Sequence, residues 1–303
     1  MLLNTMTSNI LHQALSDEIN IVYYPSNSIF DQILYMTDHN FFIFNDIQSV
    51  ADNCKCINAE YIDMYQYDIC CTNQSLTFKD VANIASSMHI HPIIIEHRVR
   101  DSKLKKEDLF ILNQQTQKIK KIFFDRQIAD TWGFSNVSVL NYGIPTDTFK
   151  PLNNQASSDI LIAGQSSILT SQLRQYVTTN LNMKCDVVAD FSDKSVEDIN
   201  STFNNYRIFI DLNNNLVDCL CSSCCGLHTV SLTNLGEDKL SETNIRPARS
   251  VEDIVSIVSN IQNHNLDNTD VIRKHIEQHY NFDTFKSTIS NIFTANKREA
   301  CIL

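Results

Sequence analysis

Short apolar runs alternate with helix-like segments along the whole chain, and this alternation constrains the fold more than any other feature. Runs at residues 19–24, 92–96 and 159–164 are mostly apolar. A strand of this kind is buried on both faces, which is typical of a parallel sheet covered by helices. Between the runs, apolar side chains recur at helical spacing, as Ile29 and Ile33 do. The sequence therefore predicts right-handed βαβ units and an α/β fold.

The same kinds of element are predicted in both halves of the chain. Strands are predicted at residues 19–24, 41–44, 68–71, 92–96, 122–124, 137–140, 159–164, 185–188, 207–210 and 229–232. Helices are predicted at residues 28–36, 77–87, 103–118, 129–132, 169–181, 195–203, 216–225, 251–262, 266–279 and 282–296.

A single segment near the middle of the chain marks a domain boundary. Residues 139–151 run from an apolar strand through a turn at Gly143 to an Asp-x-Phe-x-Pro exit, and a polar linker-like stretch follows. A length of 303 residues suits two medium domains. We therefore predict an N-terminal Rossmann-like domain over residues 1–150 and a second over 151–285. Residues 286–303 are predicted to form a C-terminal helix and tail that pack back on the first domain.

This organisation predicts where a ligand would bind. In doubly wound sheets, ligands bind beyond the carboxyl ends of the strands. With two such domains facing each other, the cleft between them is the expected site.

The net charge limits the partners. It is −11 at pH 7, with a pI near 5.2. A general nucleic-acid binder needs a positive field, so this charge disfavours that class. Local basic clusters remain, at His97, Arg98, Arg100, Lys103, Lys105 and Lys106, and again at Lys118, Lys120, Lys121 and Arg126.

The lack of recognisable targeting signals and the use of cysteine favour a cytoplasmic protein. No run of 18 apolar residues is present, so no membrane span is expected. The first residues lack the basic and apolar regions of a secretory signal. Ten cysteines without such a signal indicate free thiols in a reducing compartment. Cys221 and Cys224 have the spacing of one zinc ligand pair, but no second pair lies at a suitable distance, so no metal is predicted.

Four segments resemble GT-B fold glycosyltransferases of the retaining, glycogen-synthase-like type. They are residues 30–42, which are similar to bacterial and phage members, 94–97 at a strand end, 141–151 at the domain boundary and 221–230 in a helix-turn-strand. The resemblance implies transfer of a sugar from a nucleotide-sugar donor, a UDP- or GDP-sugar, to an acceptor in the interdomain cleft. It implies no permanently bound cofactor. The acceptor is a glycan, a protein or modified viral DNA; the oligomeric state is not predicted.

Two positions depart from the family pattern and keep a second function open. Retaining members carry two glutamates eight positions apart, and here these positions hold Asn213 and Cys221. The alternative is a non-catalytic GT-B-like protein that acts as a binding or regulatory partner. A different Rossmann-type enzyme is disfavoured, because neither a Gly-x-Gly-x-x-Gly nor a Walker motif is present.

The resemblance places the donor on the second domain. Gly164, Gln165 and Ser166 lie between a strand and a helix, where backbone N–H groups can hold a diphosphate; an ordinary capped turn is the alternative.

The helix-turn-strand segment has the same two interpretations. It contributes Cys221, Ser222, Ser223 and Gly226 as donor-binding candidates, or else small residues that allow close helix–sheet packing. Glu237 follows the next strand and is a candidate for the missing carboxylate, with a solvated loop position as the alternative.

The acceptor side is predicted at the end of the strand at residues 92–96. His97 is the candidate catalytic residue, as an acid, a base or a group that positions a hydroxyl, because an imidazole exchanges protons near neutral pH. Arg98 and Arg100 are candidate acceptor-binding residues. The alternative is a solvated basic turn.

Overall fold

The computed structural model describes two parallel sheets. The described residues are 18–26, 28–43, 52–57, 67–72, 78–97, 104–152, 157–164, 167–191, 193–232, 243–261 and 269–300. Arg98, Arg100, Gln165, Ser166 and Glu237 lie outside them.

The first sheet is built from the N-terminal half of the chain. Its strands are β1 (Asn20–Tyr24), β2 (Asn40–Ile43), β3 (Cys54–Cys56), β4 (Ile69–Thr72), β5 (His91–Glu96), β6 (Lys120–Phe123) and β7 (Val137–Val139). They lie in the order β3-β2-β1-β4-β5-β6-β7, with parallel pairing throughout. The helices of this half are α1 (Ile29–Tyr35), α2 (Phe78–Met88), α3 (Lys106–Gln115) and α4 (Arg126–Trp132).

The second sheet is built from the C-terminal half. Its strands are β8 (Ile160–Ala163), β9 (Cys185–Val188), β10 (Ile208–Asp211), β11 (His228–Leu232) and β12 (Ile245–Ala248). They lie in the order β12-β11-β10-β8-β9, again all parallel. The remaining helices are α5 (Ile168–Asn180), α6 (Val196–Phe203), α7 (Leu216–Cys224), α8 (Val251–Ile261), α9 (Thr269–His279) and α10 (Phe282–Ala300).

Both sheets are doubly wound, which confirms the predicted fold class. In the first, the chain builds β1 to β3 outward and then returns to place β4 beside β1. In the second, it returns after β9 to place β10 beside β8. A crevice for a ligand forms at each of these reversals, beyond the carboxyl ends of the strands.

The two halves share one hydrophobic core. Alternation along β8 shows how it is built, because Leu161 and Ala163 face this shared cluster while Ile160 and Ile162 face a separate cluster on the other side of the sheet. Helix α1 of the first half packs against α6 and α7 of the second. The carboxyl edges of the two sheets therefore meet at α1.

The chain crosses between the halves twice, and the two crossings touch. Ile144 lies in the first crossing and donates its N–H to the carbonyl of Tyr280 in the second, at 2.8 Å. Gly143 lies against Phe285, and a Cβ at this glycine would overlap the phenylalanine side chain. Close approach of backbone to side chain therefore requires glycine here.

Helix α10 follows the second crossing and lies against the first sheet. It contacts β4 and β5 and buries Phe285, Ile289 and Phe293. His39 Nε2 lies 2.9 Å from Ser290 Oγ, which adds a polar contact on this face. The last helix of the chain thus covers the N-terminal half.

Candidate functional site

A buried carboxylate organises the turn that follows β1. Asp31 is 2% exposed, and its Oδ2 accepts hydrogen bonds from the N–H groups of Ser26 and Ser28, both at 2.9 Å. The Ser26 hydroxyl donates to the same oxygen at 3.1 Å, and Tyr23 Oη donates to Oδ1. Burial, with the Asp31 charge as a second cause, raises the pKa of Tyr23 well above its usual value, so the phenol stays a donor. Asp31 thereby joins Ser26 and Ser28, on either side of this turn, through a single carboxylate oxygen.

His97 is brought to this same turn by β5. Its ring is 1% exposed and stacks on Phe30 with centroids 5.0 Å apart. Nε2 lies 3.1 Å from Ser26 Oγ and 3.4 Å from Ser28 Oγ. The imidazole thus lies beneath the turn at the reversal of the first sheet. Its catalytic role stays a prediction.

Asp211 lies at the reversal of the second sheet, at the carboxyl end of β10, as Asp31 lies at the reversal of the first. Its Oδ1 accepts from Asn213 N at 2.9 Å, and its Oδ2 accepts from Asn215 N at 2.7 Å and from Ser231 Oγ at 2.9 Å. Burial raises the pKa of this carboxyl to about 6, although the hydrogen bonds oppose the rise. The loop before α7 is therefore shaped around Asp211.

Asp218 lies in the first turn of α7 and is the second buried acid of this region. It is 4% exposed, and within the described part of the chain its Oδ1 has no hydrogen-bond partner. Its pKa is raised well above the usual range, first by burial and then by the charges of Asp211, Asp190 and Asp31. Asp31 comes from the first half, so its charge acts on the pKa of Asp218 across the α1–α7 contact.

The two positions where the family pattern has glutamate are occupied differently. Asn213 Nδ2 donates to the carbonyl of Ala189 at 3.3 Å. Cys221 is fully buried in the shared core. Asp218 lies three residues before Cys221, one helical turn away on a neighbouring face. An acid is thus present in α7, one turn earlier than the resemblance implies.

Gly164 lies where the β8–α5 turn approaches the loop that follows β10. A Cβ at Gly164 would lie 3.1 Å from the Leu212 side chain and 3.4 Å from Thr170 Oγ1. Ser167 caps α5, since its hydroxyl accepts from Thr170 N at 3.2 Å. The predicted donor residues Gln165 and Ser166 belong to this turn but lie outside the described residues.

The side chains of the helix-turn-strand segment are buried and pack against their neighbours. Ser222 Oγ lies 2.7 Å from Thr229 Oγ1, and Ser223 Oγ donates to the same atom at 3.3 Å. Gly226 has φ +87°, and a Cβ there would lie 3.2 Å from Thr269. This arrangement supports the packing interpretation of these residues. Donor contacts by Cys221, Ser222, Ser223 and Gly226 stay a prediction, as does the role of Glu237.

The described residues contain neither a metal-binding cluster nor a membrane-spanning helix. No three His, Cys, Asp or Glu side chains there lie close enough together to hold a metal ion. No helix in the described ranges is both long enough and apolar enough to cross a membrane.

Comparison with known proteins identifies the fold. No family model matches the chain, and no curated protein matches it. HepE from Anabaena, solved with UDP and glucose, is similar with a TM-score of 0.65 at 9% identity, over 91% of this chain and 99% of that one. The lipopolysaccharide outer core galactosyltransferase WaaB in its apo form gives a TM-score of 0.51 at 12% identity, over 90% and 99% of the two chains.

A third solved structure agrees with these two. AviGT4, a glycosyltransferase involved in avilamycin A biosynthesis, gives a TM-score of 0.57 at 9% identity, over 93% of this chain and 98% of that one. These neighbours are GT-B glycosyltransferases. The chain therefore has the GT-B fold that its sequence segments resemble.

Proposed function

We propose that this protein is a glycosyltransferase that moves a sugar from a nucleotide-sugar donor to an acceptor held between its two halves. The observation that carries the proposal is the packing of α1, which follows β1 at the reversal of the first sheet, against α7, which follows β10 at the reversal of the second. Ligands of doubly wound sheets bind at such reversals. The similar protein HepE was solved with UDP-glucose as well as with UDP and glucose.

The donor would occupy the second half. The N-terminus of α5, beside Gly164, supplies backbone N–H groups and a positive dipole end for a diphosphate. Gln165 and Ser166 complete this turn in the proposal. We take a UDP- or GDP-sugar as the donor, with no permanently bound cofactor.

Asp218 would contact the donor as a neutral acid. Burial raises its pKa well above the usual value, which favours the protonated form, and a protonated carboxyl donates a hydrogen bond where a carboxylate would repel a diphosphate. A hydrogen-bond donor directed at the leaving diphosphate stabilises the transition state most, because negative charge develops there. Asp218 is therefore the residue on which we expect transfer to depend.

The acceptor would occupy the first half. Ser26 and Ser28 offer hydroxyl groups, and His97 beneath them orients an acceptor hydroxyl or exchanges its proton. Arg98 and Arg100 follow His97 in sequence and would add positive charge. Because His97 and Asp218 are both buried, α1 and α7 have to separate before either can touch a ligand.

Several finer points belong to the proposal. Retention of anomeric configuration follows from the family resemblance. The acceptor is a glycan, a protein or modified viral DNA. A cytoplasmic location is supported by nine described cysteines that are all free thiols.

The second candidate is a non-catalytic protein that uses the same fold as a binding or regulatory partner. It is favoured by Asn213 and Cys221, because neither can supply a carboxylate and Cys221 is packed into the core. Such a protein would bind a nucleotide or a partner without releasing sugar.

Nucleotide release from donor sugars separates the two candidates. The protein is incubated with UDP-glucose and GDP-mannose, with candidate glycan acceptors, and free nucleoside diphosphate is measured. We expect release by the wild type and a loss of about tenfold or more in Asp218→Ala, since one charge-assisted contact contributes about 1.5–3 kcal/mol. Asp193→Ala, at an exposed acid, is the matched control. Donor binding without release would favour the second candidate.

A further inference from the structure

A cavity lies at the opposite end of the first sheet from the candidate site. Its volume is about 700 Å³, and it opens beside the amino ends of β5 and β6, where His91 and Lys120 lie. His97 is at the other end of β5, so six residues of strand, roughly 20 Å, separate the cavity from the β1–α1 turn. Helix α10 forms its second wall. The two sites are therefore separate.

The segment that places Lys118 and Lys120 at this cavity is held in position by a third lysine, Lys121. Lys121 is fully buried, and its ammonium group donates to the backbone carbonyls of Thr116, Ile119 and Ser135. Two of these carbonyls lie in the turn before β6 and the third lies in the loop before β7, so Lys121 uses all three of its donors to join the two segments. Lys120 precedes it in a strand, so its side chain points to the opposite face, and Lys118 lies in the turn itself.

The helical wall is polar and is also held in place. On this side α10 presents the polar residues Thr288, Asn291 and Asn296 together with Ile292 and Ala295, whereas its other side carries the buried aromatic residues. Two ion pairs tie the helix to the first half, Lys286 to Asp38 at 2.8 Å and Lys297 to Asp68 at 3.4 Å. The cavity is thus a built feature between two fixed walls.

The chemistry of the lining selects an anionic ligand. Of the described residues that line the cavity, none is Asp or Glu, although the whole chain carries a net charge of −11. Lys118 and Lys120 both line the cavity, and ammonium groups are strong partners for phosphate. This positive site in an acidic protein is not used by the proposed transfer reaction.

We propose that this cavity binds a phosphorylated sugar. The two lysines would hold the phosphate, and the amides of Asn136 and Asn291 with the Thr288 hydroxyl would meet the sugar hydroxyl groups. The described residues that line the cavity include no Phe, Tyr or Trp on which a base would stack, which disfavours a nucleotide. The volume lies within the range of small-molecule sites.

Calorimetric titration of the full chain tests this directly. Glucose 6-phosphate, inorganic phosphate and glucose are the probes. We expect glucose 6-phosphate to bind, inorganic phosphate to bind more weakly, and glucose alone to give no measurable heat. In the double variant Lys118→Gln/Lys120→Gln the affinity for glucose 6-phosphate should fall by about tenfold or more, because charge-assisted contacts are lost.

Two further variants make the result specific. Lys184→Gln/Lys194→Gln removes the same charge elsewhere and should leave the affinity unchanged. Asn291→Leu should weaken the binding of glucose 6-phosphate while leaving the binding of inorganic phosphate unaffected, and it keeps the test valid if the lysine variant misfolds.

Absence of binding, or equal affinity in the lysine variant and its control, would overturn the proposal. So would equal affinity for phosphate and glucose 6-phosphate, which would leave an anion site without sugar recognition. UDP binding tested in parallel separates this outcome from failure of the proposed function.

Discussion

Tyr142, in the first crossing between the halves, donates a 3.0 Å hydrogen bond to the backbone carbonyl of His97. Its ring stacks on Phe124 with centroids 5.0 Å apart. The hydroxyl is fully buried, and burial raises its pKa well above the usual value, so it remains a donor at all working pH values. The position of His97 is thereby coupled to the chain segment about which the two halves would move.

Tyr142→Phe removes this hydrogen bond and keeps the stacked ring. A buried carbonyl is left without its donor, so we expect the free energy of unfolding to fall by about 1–3 kcal/mol. Chemical denaturation measures the change. Tyr280→Phe, at a less buried phenol in the second crossing, is the comparison. An equal loss of stability there would show that the Tyr142–His97 hydrogen bond contributes no more than removal of any phenol hydroxyl.

Gly143→Ala tests the close packing of the two crossings. The added methyl group overlaps Phe285, so we expect a loss of about 1–3 kcal/mol of stability. In a Phe285→Leu background the added methyl has more room, and the alanine substitution should cost less. Strict additivity of the two substitutions in denaturation experiments would contradict the contact.

Asp218→Asn tests the buried acid through the pH dependence of stability. In the folded protein the pKa of Asp218 is raised, whereas in the unfolded chain it lies near the ordinary value of about 3.9. The unfolded chain therefore ionises first, so wild-type stability is full below about pH 4 and declines as the pH rises above it. The asparagine variant cannot ionise at this position.

We accordingly expect the stability of Asp218→Asn relative to the wild type to increase as the pH rises above about 4, until the folded protein also ionises at this position. Asp211, whose pKa is raised to about 6, adds a decline of the same sign between about pH 4 and pH 6 in both proteins. Denaturation curves at several pH values measure the difference. A constant offset between wild type and variant at all pH values would show that Asp218 keeps an ordinary pKa.

Lys121→Met tests whether Lys121 holds the turn beside the cavity that Lys118 and Lys120 line. The substitution leaves three backbone carbonyls without their shared donor, so we expect a loss of about 2–4 kcal/mol of stability. The turn that carries Lys118 and Lys120 loosens, and binding of glucose 6-phosphate should weaken with it. Lys120→Met should reduce binding with little effect on stability, since Lys120 is only half-buried.

The fold could be predicted from the sequence because strands buried on both faces are nearly all apolar. The strand at residues 185–188 was predicted with its exact bounds, and most others differ by one or two residues. Two strands were missed. Cys54–Cys56 contains a lysine and Ile245–Ala248 contains an arginine and a proline, and both lie at sheet edges, where a strand needs no continuous apolar pattern.

The acids of the candidate site were also missed, and for a different reason. Asp31 stands three residues after Ser28, a helix-start pattern that the sequence does offer. Asp211 ends an apolar run, and Asp218 is the one charged residue in an otherwise apolar and small-residue helix. These signals are present in the sequence. Which carboxyl oxygens have partners among the described residues, and that Asp218 Oδ1 has none there, depends on contacts between distant segments. His97 was singled out from its strand-end position, whereas its contact with Ser26 spans 71 residues and has no local pattern.

The most direct measurement of the central claim is a thermal-unfolding panel with UDP, GDP, ADP, CMP and their common sugar conjugates. A ligand at one hundred times its dissociation constant adds about 2.7 kcal/mol of stability, which raises the midpoint by roughly 5 °C in a chain of this size. The account predicts that a UDP- or GDP-sugar raises the midpoint selectively and that Asp218→Ala reduces the rise. An unchanged midpoint with every nucleotide and every nucleotide sugar would contradict it.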